Sequence, residues 1–390
     1  MSPGPDPVER LRAARAPDEA DAKHRSWGAV ADAFDEREPG ARPRRLVPAI
    51  AVGAAVVAGS LAISPPGRAI AQWARRAVSS SASAPPRPVV LATPGRVIVV
   101  RSGALSMLRP DGSGRSLGPY SDASWSPHCR YVAATAGRTI VAVDPETAEV
   151  RWTLPRPGVV SDPRWAPSGF RVAYLANHRE LRIVRGDGVD DRQLVARVAD
   201  VAPAWRPGSG ANVVAYVRSH GPIEIVDVDT GRSAGRFQLR HAVRSLQWTS
   251  DGRDIVVVDT AGVVIVNAQS GSRKRLHQLT AAPIAVSVSP VGRSIAVLTA
   301  ATARPLLIPI DTPTRLRYLH EHSPLSDLRF SPDGSRILLI SRAGDSWELV
   351  SARGVARVPK FEAVSARSVI GSVIDPAFPS IRGWCSDSRP

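Results

Sequence analysis

The chain has 390 residues, of which 43% are hydrophobic, so it has room for a large core in an ordinary globular proportion. Its formal net charge is +16, carried almost wholly by arginine, since Lys23, Lys274 and Lys360 are the only lysines. That balance draws the chain toward anionic surfaces such as cell-wall polymer, lipid headgroups or nucleic acid, unless the arginines are simply solvated. The two cysteines, Cys129 and Cys385, exclude the clustered spacing of a zinc or haem site.

Residues 1–45 form a polar tail. Within it Asp18 to Glu38 reads as a helix: Pro17 precedes it, acids Asp18, Glu19 and Asp21 fill the first turn, and Trp27, Val30, Ala31 and Phe34 share one face. Such a stripe either meets a partner or belongs to a frayed tail. Residues 46–64 follow, with no charge from Leu46 to Ile63. As a helix that stretch spans about 27 Å, enough for the hydrocarbon of a bilayer. A signal peptide would read similarly, with Ala82-Ser83-Ala84 as a cleavage site, and a buried core helix is a third reading. The long polar stretch before the apolar run and the distant A-x-A favour a single membrane anchor. Residues 65–88 supply a short interfacial helix with Trp73 among arginines, then a Ser/Ala/Pro linker. The expected layout is a single-pass membrane protein with its N-terminus cytoplasmic and residues 89–390 outside the cytoplasm.

The remainder repeats. Trp125-Ser126-Pro127, Trp165-Ala166-Pro167-Ser168-Gly169, Trp205-Arg206-Pro207-Gly208, Trp248-Thr249-Ser250-Asp251-Gly252, Val288-Ser289-Pro290-Val291-Gly292 and Phe330-Ser331-Pro332-Asp333-Gly334 stand 40, 40, 43, 40 and 42 residues apart. Each anchor leads into an alternating apolar run, a second run after a polar break, a turn, and a weaker outer strand. Short strands at a period of about 40 residues are the signature of a β-propeller, here with four-stranded antiparallel blades. Arg96–Leu117 reads as three strands without an anchor, and Trp384 near the C-terminus as an anchor with nothing after it. Joined, they make a seventh, composite blade. The alternative is six blades with the end fragments covering edges.

These anchors resemble the WD40-like repeats of the TolB-type β-propeller family, and Phe330-Ser331-Pro332-Asp333-Gly334-Ser335-Arg336-Ile337 carries the likeness almost letter for letter. It covers about 120–345 clearly and 90–390 loosely. The N-terminal layout faintly resembles that of membrane-bound anti-sigma factors. The resemblance implies a propeller used for binding. It does not carry over the partners of TolB, because an anchor replaces a cleaved signal and the family's additional α/β domain has no counterpart here.

Catalytic chemistry is not evident: there is no G-x-S-x-G elbow and no Gly-rich phosphate loop, and no catalytic residue, cofactor or metal ligand is assigned. His320-Glu321-His322 could offer two imidazoles on one strand face, but no third ligand is apparent. The anchors Trp125, Trp165, Trp205, Trp248, Val288, Phe330 and Trp384 read as packing between blades, with Pro, Asp and Gly serving the turns. The expected function is a monomeric, non-catalytic protein- or polymer-binding or sensor module, with inward signalling through its helix as an extension of that role. A funnel enzyme (lyase or hydrolase) and a passive envelope scaffold are the alternatives. Nucleic acid is argued against by the expected location and the lack of regular basic–aromatic interleaving. If Trp384 begins the inner strand of the composite blade, Cys129 and Cys385 fall on neighbouring inner strands and can form a disulfide. The alternative is two unrelated thiols.

Overall fold

A computed structural model of the chain describes residues 95–386, apart from 209, 211, 280, 301–304, 314–316, 319–324, 344–345, 353–363 and 366–377. The predicted helix Asp18–Glu38, the apolar segment 46–64, the linker 65–88 and His320-Glu321-His322 lie outside the described residues. Among the described residues no helix is long and apolar enough to cross a membrane.

Six anchors each end a strand. Asp122–Trp125, Val160–Trp165, Ala204–Trp205, Val243–Trp248, Pro283–Val288 and Asp327–Phe330 each open a four-stranded antiparallel sheet, named below by its anchor. The turn Ser-Pro-Asp-Gly then reverses the chain into the second strand. In it Ser331 Oγ accepts the Arg336 N–H at 2.9 Å, Thr249 Oγ1 accepts that of Asp254 at 3.1 Å, and Ser126 Oγ accepts that of Tyr131 at 2.8 Å. The motif is therefore a hydrogen-bonded hairpin connection.

The second strands are not alternating but continuous apolar runs. Val213–Val217 and Asp254–Asp259 are buried at every residue, whereas outer strands such as Val150–Pro155 are largely exposed. The cause is that blades stack face to face, so a second strand has no solvated side. The core is accordingly divided into clusters, one at each blade–blade interface. Between the Trp205 and Trp248 blades, for example, Ala215, Ile223 and Ile225 meet Ile255, Val257 and Val266. Each of these isoleucine and valine side chains contributes roughly 1.5–3 kcal/mol by its burial.

The ring closes in a composite blade. Ser380–Cys385 pairs antiparallel with Arg96–Arg101, followed by Ala104–Leu108 and Gly114–Gly118. Its two sides pack as the other blades do. Ile98, Leu105 and Met107 meet Val132, Ala134 and Val141 of the Trp125 blade, while Val97, Val99 and Ile381 meet Leu338, Ile340 and Trp347 of the Phe330 blade. The protein is thus an all-β propeller of seven four-stranded blades, and the six-blade alternative falls. One detail is corrected: Trp384 does not begin the inner strand but sits beside its end, opposite Val97. Anchors precede the turn, so the strand had to lie upstream of Trp384, in Ser380–Gly383.

A disulfide joins Cys129 to Cys385, with Cα atoms 5.8 Å apart and a sequence separation of 256. It crosses from the turn of the Trp125 blade to the last strand of the composite blade. Arg96 reinforces the same corner: it donates to the Cys129 carbonyl at 3.2 Å, lies 5.5 Å from the Trp125 ring centroid and pairs with Glu146.

Candidate binding face

Strands that alternate in direction sort their connections onto two faces of the ring. One face carries the turns after the anchors and those between third and fourth strands. Its carboxylates include Asp144, Glu146, Asp229, Asp251 and Asp311, which take up several of its arginines, while Arg130, Arg206 and Arg232 make no ion pair with a described residue. Arg109 meets Glu146 at 2.6 Å, Arg171 meets Asp229 at 2.9 Å, and Arg293 contacts Asp251, Asp254 and Asp311 at 2.5, 2.6 and 2.9 Å. Burial works against the Arg293 charge, yet these bonds outweigh it and raise its pKa. Arg109 beside Glu146 holds that carboxyl below its ordinary range.

The opposite face carries the turns between second and third strands and the connections from blade to blade. Among the described residues, these hold Arg138, Arg156, Arg179, Arg197, Arg218, Arg240 and Arg342, with Asp200 as their one carboxylate. Arg156 reaches Asp191 at 2.6 Å and Arg218 reaches Glu224 at 3.1 Å. The other five make no ion pair with a described residue. Among the described residues the connections of this face are therefore net basic, whereas the turns of the opposite face hold many of the carboxylates.

A groove of about 610 Å³ crosses that face from the Trp165 blade to the connection entering the Trp248 blade. Arg179, Arg218, Arg240, His178, His220 and His241 stand along it, and Val198, Ala199, Val217, Leu239 and Val243 provide its apolar part. Val198 and Val217 are buried and the other three are partly so. Local pairing fixes this floor. Ala199 N–H donates to the Val217 carbonyl at 2.8 Å, Ser219 N–H to that of Arg197 at 3.0 Å, and Ser219 Oγ to that of Val198 at 2.7 Å. Asn177, His178, Arg197 and His220 hold left-handed backbone, with φ of 51°, 54°, 58° and 53°. Asn and His are among the non-glycine residues that tolerate this conformation best. His178 Nδ1 lies 2.9 Å from Asp200 Oδ1, so the lone carboxylate is engaged too.

Beside the groove, the inner strands bring charged pairs to the ring interior. Arg164 lies 3.4 Å from Asp162 and 3.9 Å from Asp122, and Arg382 lies 3.6 Å from Asp122. Burial pushes the Asp162 carboxyl above its ordinary range, Arg164 opposes the shift, and the negative Asp122 adds to it. The carboxylates are thus matched by guanidinium groups. Among the described residues no group of three His, Cys, Asp or Glu could hold a metal ion.

The seven anchors take structural positions. Trp165, Trp205, Trp248 and Phe330 are buried, and Trp125, Val288 and Trp384 are partly so. The Trp205 and Trp248 indole N–H groups donate at 2.8 and 2.9 Å to the Arg164 and Ala204 carbonyls, each the residue just before the preceding blade's anchor. None of the groove residues was singled out from sequence. Their signal is periodic: Arg138, Arg179, Arg218 and Arg342 stand 13, 14, 13 and 12 residues after their anchors, hidden in an arginine-rich background. Asp122, Asp162 and Asp327 likewise recur three residues before an anchor.

No protein-family model matches the chain, and no curated protein matches it. Solved structures do. KlHsv2 with loop 6CD replaced by a Gly-Ser linker is 9% identical at a TM-score of 0.53, over 68% of this chain and 94% of that one. The β-propeller domain of Cps50 (Swd1) from Myceliophteria thermophila is 12% identical at a TM-score of 0.51, over 67% of this chain and 98% of that one. At such identities the likeness shows the fold, a WD40-like seven-bladed propeller.

Proposed function

We propose that the chain is a non-catalytic recognition module of TolB-like type, held at a membrane by residues 46–64 with its propeller outside the cytoplasm. Its arginine-rich face binds an anionic partner, and the helix Asp18–Glu38 relays occupancy inward. The observation that carries the binding part is the one-sided balance of charge: seven arginines against one carboxylate in the described connections of the groove face, where the turns of the other face hold Asp144, Glu146, Asp229, Asp251 and Asp311 among their arginines. A rigid ring supports this reading, because exposed connections on a fixed scaffold suit partner recognition. The alternative of a funnel enzyme is disfavoured by the pairing of Asp122 and Asp162 with Arg164 and Arg382, which leaves no free carboxylate pair there among the described residues.

The test is retention of the full chain on a polyanionic matrix as salt is raised. Reversing Arg179 and Arg240 to Glu is expected to shift elution to clearly lower salt than reversing Arg232 and Arg253 on the opposite face, although both variants change net charge equally. Equal shifts would reduce the claim to bulk basicity. The membrane part is tested by protease treatment of intact cells. Digestion of the propeller is expected, and its protection would overturn the orientation.

A further inference from the structure

Resting on that reading, we infer that the groove face takes an acidic peptide segment carrying apolar side chains, rather than a uniformly charged polymer. The groove offers two chemistries in one cleft. Arg179 and Arg240 supply exposed, unpaired cations, and the partly exposed Ala199, Leu239 and Val243, seated on the buried Val198 and Val217, supply an apolar surface in the same groove. A polyphosphate or a string of carboxylates satisfies the cations but covers the floor with hydrated charge, which gains nothing from removing apolar area from water. An acidic peptide with an interspersed Leu or Val does both at once. Arginine suits this role because its planar donor fork grips a carboxylate through two hydrogen bonds while its stem lies along apolar surface. Among the described residues Asp200 is the single carboxylate of these connections, and it is turned to His178 Nδ1 at 2.9 Å. The cleft is also preformed. The left-handed residues His178, Arg197 and His220 and the backbone bonds between 197–199 and 217–219 fix its shape before a partner arrives, which reduces the ordering cost of binding.

Fluorescence anisotropy with the full chain in detergent tests this, using three labelled probes: a short peptide alternating Glu and Leu, a polyglutamate peptide of equal charge, and inorganic polyphosphate. The alternating peptide is expected to bind at least tenfold more tightly than polyglutamate. Arg179→Glu with Arg240→Glu is expected to weaken it tenfold or more, while Arg232→Glu with Arg253→Glu stays within twofold of the parent. Leu239→Asn is expected to remove the preference for the alternating peptide without changing polyglutamate binding. Val243→Thr, an uncharged and nearly isosteric change in the same groove, serves the same purpose should Leu239→Asn fail to fold. If polyglutamate or polyphosphate binds as tightly as the alternating peptide, and that binding still depends on Arg179 and Arg240, the peptide inference is overturned and the anionic-partner reading survives. If no probe depends on those two arginines, both fall.

Discussion

At position 129 a cysteine holds a backbone conformation that other blades assign to glycine. Cys129 has φ of 56°, while Gly169, Gly252, Gly292 and Gly334 at the same step of the turn have φ between 64° and 79°. For a residue with a Cβ this conformation costs about 1 kcal/mol or more. Cys129→Gly and Cys129→Ala both abolish the bridge, so the unfolding free energies of the two from urea titration should lie below the parent's by amounts that differ by about 1 kcal/mol, with the glycine variant the more stable. On the chain-entropy account the bridge itself contributes up to about 5 kcal/mol. An unchanged unfolding midpoint for the parent chain under reductant would rule that account out. Two carboxyls make opposite pH contributions. Asp259 is fully buried, which works to raise its pKa, but Arg275 bonds it at 3.1 and 2.6 Å and the Ala261 N–H adds another, so the net shift is downward. Its stabilising effect is present above the ordinary carboxylate pKa of about 4 and is lost as pH falls through the lower folded value. Asp259→Asn should therefore cost about 2–3 kcal/mol at neutral pH, and progressively less in acid. Asp162, shifted upward, acts in reverse: its contribution is fully present below the ordinary value and disappears as pH rises through the folded one. Asp162→Asn should stabilise the protein at neutral pH and have no effect in acid, as read by thermal melts at both.

Strands show why the repeat was legible and where its reading failed. Every blade needs an apolar anchor where an inner strand meets its turn, and a Gly or Pro to make that turn, so these residues recur at a period that survives divergence elsewhere. The alternation expected for second strands was absent because stacked blades leave them no wet face. The contacts that lock one blade to the next were not legible at all. Ser124 Oγ accepts the Trp165 N–H at 3.1 Å, Ser287 Oγ accepts that of Phe330 at 3.1 Å, and Gln247 Oε1 accepts that of Val288 at 3.1 Å, yet Ser and Gln before an anchor look incidental in sequence. The anchor tryptophans are also unequal. Trp205 and Trp248 donate across to the preceding blade, whereas the Trp125 indole nitrogen is buried without a partner. Trp205→Phe and Trp248→Phe should each lose about 1 kcal/mol more than Trp125→Phe, a difference that denaturant titration of the three variants resolves.

For the whole molecule, the composite blade was legible because two fragments, each incomplete, supplied what the other lacked. The charged face was not. Arginine is so abundant here that no run or cluster marks it, and only the sorting of connections by strand direction separates the net basic connections from the turns that hold carboxylates. The closure makes a further prediction. Gly95 lies against Cys385 and Ser386, so a circular permutant that joins residue 386 to Gly95 and opens the chain in the connection 276–282 should fold into the same ring. In that permutant only roughly 35 residues would separate the two cysteines, and the chain-entropy contribution of the bridge should fall by roughly 2 kcal/mol. The drop in urea midpoint on reduction, compared between permutant and parent, measures this directly.

The shared blade also sets a schedule. Arg96–Arg101 leaves the ribosome with its neighbour Ala104–Leu108 at hand, but the partner for its other edge, Ser380–Cys385, is made last. At roughly 5–20 residues per second, the 279 positions from Arg101 to Ser380 take roughly 15–60 s to synthesise. For that time an apolar strand edge, with Val97, Ile98 and Val99 along it, waits unpaired while six complete blades assemble behind it. The arrangement that gives the finished ring its covalent lock therefore places its greatest exposure to misassembly during biogenesis, and makes the arrival of the final strand the step that commits the molecule.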